Sequence, residues 1–492
     1  MNTHTGEQVW EGEIGFVIEA KGYLLALEGL PSAHINNVIV NSKGQRALIT
    51  ALREESVEAL LLDRVNVGSG DRFMLSHESI MYSFGEQLFG RVINAVGEAI
   101  DDGGAFSTKN TPLLFDADAP TMSARAPMTE QLVTGMSAVD VLIPIAKGQR
   151  QLIIGPISSG KNLFLESLFA NQVTTDVVCI YAFIGRPIDY IEDSITRIFS
   201  EKGNHRSIII ASFSDEPASI VYLTPIVAVE LAEHFSHDGK DVVVVLDDLG
   251  THSRYLREIA LLSGRVPGRE SYPGDLFYQQ ASMLERAGRF NKTLGSGSIT
   301  MLPVLETNIE DISSLVSTNL ISATDGHLFF SPLRHSEGVF PAIIPEQSVT
   351  RVGRKTQNTL TTQLSLRIQA LLAEYERQQR YSQFGTQLSQ KTRRIIARGQ
   401  ILRVLLSQEQ MVAIPLEAQT ILLSLVFTTF FDDKDIAFAT NSRRALTDAV
   451  MRADADPVVG PVVVSARRGS ISLDQFLRKL SGALPYFIAV CQ

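Results

Sequence analysis

The sequence predicts a multidomain chain with an N-terminal β-barrel, a central α/β domain and a C-terminal α-helical domain. Three observations carry this. Short apolar runs broken by turn residues fill the chain to about residue 86. Val- and Ile-rich strand patterns then alternate with helical ones to about residue 357, and strong helix formers at helical period follow. At 492 residues there is room for roughly three domains of about 100–200 residues each. The expected domains are residues 1–86, 87–357 and 358–492.

In the first domain the runs IGFVIEA, YLLALEGL, NNVIVN, RALITAL, EALLLDRV and DRFMLS are separated by Lys21-Gly22, Ser42-Lys43-Gly44 and Gly68-Ser69-Gly70-Asp71. Strands of that length and spacing close most simply into a small barrel. In the second domain QLIIG (151–155) precedes a loop, and an amphipathic stretch runs from Lys161 to Ala170. Further strands are predicted at 176–184, 206–213, 241–248, 297–306 and 326–330. Their apolar runs are short and continuous, as in parallel strands covered on both faces. Ligands of such sheets bind at the carboxyl ends of the strands. In the third domain TQLSLRIQALLAEYERQQRYSQF and QKTRRIIARGQILRVLLSQEQ read as helices. The remainder is also mainly helical, interrupted at Gly460-Pro461 and Arg467-Arg468-Gly469-Ser470.

Composition narrows the function classes. The net charge is −10 with no long basic run, which argues against a general nucleic-acid binder. Cys179 and Cys491 are the two cysteines, without metal-ligand spacing or the makings of a disulfide framework, so a reducing compartment is expected. The start, MNTHTGEQVWEGEIGF, lacks a basic region followed by an apolar core, so no secretory signal is expected. No uninterrupted apolar run of about 18 residues occurs, so any membrane role is expected to come through partners.

Residues 155–162, Gly-Pro-Ile-Ser-Ser-Gly-Lys-Asn, match the phosphate-binding pattern G-x-x-x-x-G-K-[ST] except at the last position. The loop lies between a predicted strand and a helix N-terminus, which is where an anion is held. Gly155, Ser158, Ser159, Gly160 and Lys161 are the candidate phosphate contacts. Pro156 has no amide proton to give. Asn162 stands where a hydroxyl would hold Mg²⁺; its carbonyl can offer an oxygen, with a different reach. Asp247 ends the run VVVVL, so it is either a Walker B carboxylate for Mg²⁺ or, with Asp248, the start of a solvated loop. Hydrolysis also needs a carboxylate or glutamine to position water, and the expected place reads Ile184-Gly185-Arg186-Pro187. A guanidinium that stays protonated is no base, although Asp189, Glu192 and Asp193 follow nearby. Arg351 is on these grounds either an ordinary surface arginine or an arginine finger.

Several segments occurring together resemble a known family. They are Thr134-Gly135-Met136-Ser137-Ala138-Val139-Asp140, then Pro144-Ile145-Ala146-Lys147-Gly148-Gln149-Arg150, Leu246-Asp247-Asp248-Leu249, and Pro267-Gly268-Arg269-Glu270-Ser271-Tyr272-Pro273-Gly274-Asp275. The stretch from Thr318 to Gly326, and Pro341-Ala342-Ile343 leading to Arg351, complete the set. The chain closely resembles the alpha subunit of F-type ATP synthases over about residues 13–430, and weakly over roughly the last 60.

The resemblance implies a RecA-like P-loop domain between barrel and helices. It also implies a ring of three alpha and three beta subunits around a gamma shaft, with peripheral stalk subunits and catalysis mainly on beta. It implies ATP or ADP with Mg²⁺ as the ligand, Lys161 and its loop on the phosphates, Asp247 as the Walker B acid, and Gln408 and Gln410 beside the adenine. Arg351 matches the arginine that alpha inserts into the beta site. Membrane contact would come only through the ion-translocating sector, on the cytoplasmic face of a bacterial membrane, with H⁺ or Na⁺ as the ion.

Beta subunits carry Gly-Glu-Arg where this chain has Gly185-Arg186, and that absence, together with the alpha-type stretch Pro267–Asp275, assigns it to alpha. The chain departs from alpha at Asn162 (usually threonine), Arg186 (usually glutamine), Pro156-Ile157-Ser158 and Ile344. The stretch before Glu13 is also about a dozen residues short of the usual stalk-docking segment. These features suit a divergent or secondary synthase such as the N-type rotary ATPases. The competing class is a catalytic P-loop ATPase such as a secretion or export motor. An RNA-translocating ring like Rho is disfavoured by the acidic balance and by a barrel without a basic or aromatic platform.

Overall fold

The structure is a computed structural model that describes residues 12–64, 66–76, 80–106, 111–112, 118–173, 175–200, 206–307, 311–382 and 389–491. The segment ahead of Gly12, expected to be a shortened stalk-docking stretch, lies outside the described residues. The chain divides into two compact units, residues 1–126 with 176–323, and residues 127–175 with 324–492.

The first unit opens with a closed barrel. Its strands are Ile14–Lys21, Leu24–Glu28, Val38–Asn41, Arg46–Leu52, Val57–Leu61 and Arg72–Leu75, and around the barrel they run first, second, fifth, fourth, third, sixth. Alternate residues point inward, so Val17, Leu25, Leu27, Ile39, Ala47, Ile49, Ala59, Leu61 and Phe73 form one buried cluster. Pairing of Ile14 with Met74 closes the ring. Leu24 and Leu60 instead join Ala218 and Ile259 in a second apolar cluster, seating the barrel on two helices of the same unit.

Those helices, Ala218–His237 and Leu249–Leu262, cover a parallel sheet ordered Ser298–Glu306, Asp241–Asp247, Val178–Arg186, Ser207–Phe213, Val92–Ile93. Every residue of Val178–Arg186 is buried, Cys179 included, which is why that strand reads as a continuous apolar run. Helix Ala218–His237 is long and apolar enough to cross a membrane by length and composition, but 78% of its most apolar 18-residue window is buried, as in a core helix. Its Glu230 is tolerated there because Arg286 pairs with it at 2.6 Å.

In the second unit Gln151–Gly155 pairs in parallel with Gly326–Phe329, and Val349–Thr350 adds an antiparallel edge. Helices follow at Thr359–Ser382, Gln390–Leu406, Leu416–Ser424, Ile436–Met451, Gly460–Arg468, Leu473–Gly482 and Leu484–Val490. The two expected interruptions are the two ends of one helix. Pro461 stands in its first turn, where a missing N–H costs nothing, and Gly469 closes it at φ 59°. Barrel, parallel-stranded α/β region and helical C-terminal region are those the sequence predicts.

Candidate nucleotide-binding site

The phosphate loop lies wholly in the second unit. Strand Gln151–Gly155 delivers it and helix Lys161–Asn171 receives it, one residue longer than predicted. The turn is made by Ser158 at φ 60° and Gly160 at φ 81°. At Gly160 a side chain is excluded twice over, because a Cβ would also stand 2.8 Å from Cδ2 of His335. The loop is satisfied from within. Lys161 Nζ donates to the carbonyls of Gly155 (2.8 Å) and Pro156 (2.6 Å) and lies 3.3 Å from Ser159 Oγ, which donates to Pro156 O. Lys161 and Ser159 are buried, whereas Ser158 is exposed and Asn162 half-buried at the helix start. His335 was not singled out by sequence; only the chain's return from strand Gly326–Phe329 lays its ring on the loop glycine.

The two glutamines separate in kind. Gln408 is buried, and its amide is spent on backbone: Oε1 accepts from Ser137 N, while Nε2 donates to the carbonyls of Gly135 (2.9 Å) and Val412 (2.8 Å). Gln410 is exposed. Next to it Met411, at φ 58°, bonds through its amide to Ser167 Oγ of the loop helix, tying this segment to the phosphate loop. The Thr134–Asp140 motif is held by a fully buried Asp140, which accepts from Thr134 N, Thr134 Oγ1, Gly135 N and Gln419 Nε2. Burial pushes the Asp140 carboxyl up to about 6, although those donors oppose the shift. Arg351, just beyond the edge strand Val349–Thr350, is exposed, and its guanidinium reaches the Thr324 carbonyl at 3.4 Å.

Asp247, the Walker B candidate, lies in the first unit, where it and Asp248 are almost wholly buried. The reading of these two as the start of a solvated loop therefore fails. Arg186 meets them. Its Nη2 bonds Asp247 Oδ1 and lies 3.4 Å from Asp248 Oδ2, and its Nη1 bonds Glu306 Oε2 at 2.8 Å. Asp247 Oδ2 accepts from the hydroxyls of Tyr190 (2.9 Å) and Tyr181 (3.2 Å). The Tyr190 ring lies 5.1 Å from the guanidinium carbon.

Backbone geometry aims this arginine. Between Phe183 and Arg186 the strand carries one residue more than its partner, and Gly185 sits at φ 61° in that bulge. A Cβ at Gly185 would meet Tyr255, Val221 and Thr251 within 3.2 Å. Burial by itself drives Arg186 towards neutrality, but the charges of Asp247 and Asp248 outweigh it and raise its pKa. Burial also raises the Asp248 carboxyl despite Arg186. Asp189, Glu192 and Asp193 are exposed on helix Ile188–Ile198 and do not join this cluster.

The carboxylate of Asp247 does not fit a bound Mg²⁺. The metal wants hard, free oxygens in octahedral array. Asp247 has both oxygens engaged, one by a cation. In the sequence two predicted strands end on opposite charge, at Arg186 and at Asp247-Asp248, but only the fold makes those strands neighbours.

Residues 135–350 match the ATP synthase alpha/beta family, nucleotide-binding domain, and residues 357–458 match the ATP synthase alpha/beta chain, C terminal domain. The chain is 34% identical over 440 residues to ATP synthase subunit alpha 1 of Rhodopirellula baltica, covering 89% of this chain and 87% of that one. It is 34% identical over 423 residues to ATP synthase subunit alpha 2 of Syntrophotalea carbinolica, covering 86% and 81%. With the alpha 2 subunit of Nitrosospira multiformis it shares 32% identity over 441 residues, covering 89% and 86%. Matched in two domains and along most of its length, the chain belongs to the ATP synthase alpha/beta family, as an alpha subunit of a rotary F-type ATP synthase.

Proposed function

We propose that this alpha subunit is noncatalytic, holds ATP or ADP on the loop Gly155–Asn162, and donates Arg351 in trans to the site of a neighbouring beta subunit. The observation that carries the noncatalytic part is Arg186. At the strand end where a hydrolytic subunit needs a water-positioning acid, a guanidinium binds Asp247 and Glu306. The exposure of Arg351 supports its reaching beyond its own chain, where it stabilises charge on the transferring phosphoryl group.

In this reading three alpha and three beta subunits alternate around a gamma shaft, restrained by a peripheral stalk. ATP synthesis or hydrolysis on beta is then coupled to H⁺ or Na⁺ movement in a separate membrane sector. The chain lies at the cytoplasmic face of a bacterial membrane without crossing it. The domain limits near residues 86 and 357 belong to the same reading. Of the two glutamines, Gln410 contacts the adenine and Gln408 positions the segment that carries it.

The test is the ring assembled with its beta partner. Arg351→Ala should leave assembly intact and lower steady-state ATP turnover by about 10³–10⁵-fold. A variant ring turning over near the wild-type rate defeats the arginine role. ATP hydrolysis by the purified chain alone defeats the noncatalytic one and favours an export-type motor.

A further inference from the structure

We infer that Arg186 is the resident counter-cation of the Asp247–Asp248–Glu306 cluster, standing in place of a divalent metal, so that this chain binds nucleotide without Mg²⁺. The inference rests on the nucleotide reading of the loop for its second half only. The first half stands on the acid cluster alone.

A carboxylate presents about four lone-pair positions. At Asp247 three are in use: one on Oδ1 by the guanidinium and two on Oδ2 by the hydroxyls of Tyr181 and Tyr190. Two further carboxylates lie against the same cation, Asp248 at 3.4 Å and Glu306 at 2.8 Å. A guanidinium among three carboxylates supplies the positive charge that a metal supplies elsewhere, and it is covalently present at every moment. Its orientation is fixed from both sides. The glycine bulge sets the backbone, with Gly185 N on Ser212 Oγ at 3.0 Å, and the guanidinium carbon lies over the Tyr190 ring, 5.1 Å from its centroid.

A divalent ion entering this cluster would meet that cation directly, and the low local dielectric makes such repulsion strong. The phosphate-loop pattern, considered by itself, departs in the same direction. Asn162 offers a neutral amide where the metal expects a hydroxyl. Each substitution lowers metal affinity at its own position, and neither replaces Lys161 or the loop glycines.

The experiment uses the full-length chain with ADP and Mn²⁺, which replaces Mg²⁺ and is read by electron paramagnetic resonance as loss of the free-ion signal. In parallel, trinitrophenyl-ATP fluorescence is titrated in Mg²⁺ and in EDTA. The inference expects no stoichiometric Mn²⁺ site in the wild type and an analogue Kd unchanged within about twofold on metal removal. It also expects Arg186→Gln to gain one Mn²⁺ that Arg186→Gln/Asp247→Asn loses. A stoichiometric wild-type Mn²⁺ site abolished by Asp247→Asn overturns it, as does a Kd about tenfold or more weaker in EDTA. A folded Arg186→Gln chain that takes up no Mn²⁺ overturns it too. If Arg186→Gln does not fold, the wild-type readings still decide. Nucleotide binding absent in both Mg²⁺ and EDTA would fail the loop reading, leaving the counter-cation to the Mn²⁺ measurement.

Discussion

Replacing Arg186 with alanine should be among the most costly single changes available in this chain. The side chain is 9% exposed, and it faces Asp247 at 0% and Asp248 at 1%. Removing it strands two buried carboxylates that have no other cation against them in the cluster described. Breaking a buried pair in this way costs about 3–5 kcal/mol, because the remaining charge keeps its desolvation penalty and loses its partner. In a unit of this size each kcal/mol moves the melting point by about 2–4 °C, so a drop of roughly 6–20 °C is expected.

Differential scanning calorimetry of the full chain follows it, in the transition of the unit that holds Arg186. Arg186→Ala/Asp247→Asn should recover part of the loss, giving a coupling energy above about 1 kcal/mol. Since the pair is buried, high salt should change the loss little. A shift below about 2 °C, or one that vanishes in high salt, would show that the guanidinium is a surface group and refute the reasoning.

Further predictions concern the second unit. Asp140, raised from 3.8 to about 6 by burial, ionises more readily unfolded than folded. Its contribution is therefore full below pH 3.8 and lost as pH rises to about 6, about 3 kcal/mol in all; Asp140→Asn should flatten that part of a melting-point–pH profile. Gln408→Ala should cost about 1–3 kcal/mol in urea unfolding by leaving the buried Ser137 N–H and the half-buried Val412 carbonyl without this partner, while the Gly135 carbonyl keeps Ile414 N. Gln410→Ala should leave that stability within about 0.5 kcal/mol of wild type and weaken nucleotide binding instead. Lys161→Ala should weaken trinitrophenyl-ATP binding roughly 10–100-fold, the worth of charge-assisted phosphate bonds; unchanged affinity would mean the loop is not the site.

What the sequence determined by itself is whatever depends on neighbours along the chain. The barrel strands were legible because short apolar runs, such as those holding Val17, Leu25 and Leu27, and Ile39, are separated by turn residues along the chain. The phosphate loop was legible because its glycines and lysine act within eight residues of one another. The ends of Gly460–Arg468 were written in Pro461 and Gly469, since caps are local chemistry.

The tertiary structure decided what becomes of side chains that meet across long separations. Gln408 and Gln410, two residues apart and identical in chemistry, became a buried backbone clamp and an exposed amide, because Gly135 and Ser137 lie more than 270 positions away. Asp247 could be read as a metal ligand or a loop residue until the fold placed Arg186, 61 positions earlier, and Glu306 on the same spot. A carboxylate's role is set by which charge shares its low-dielectric surroundings. That is a property of the folded neighbourhood, and no local pattern carries it.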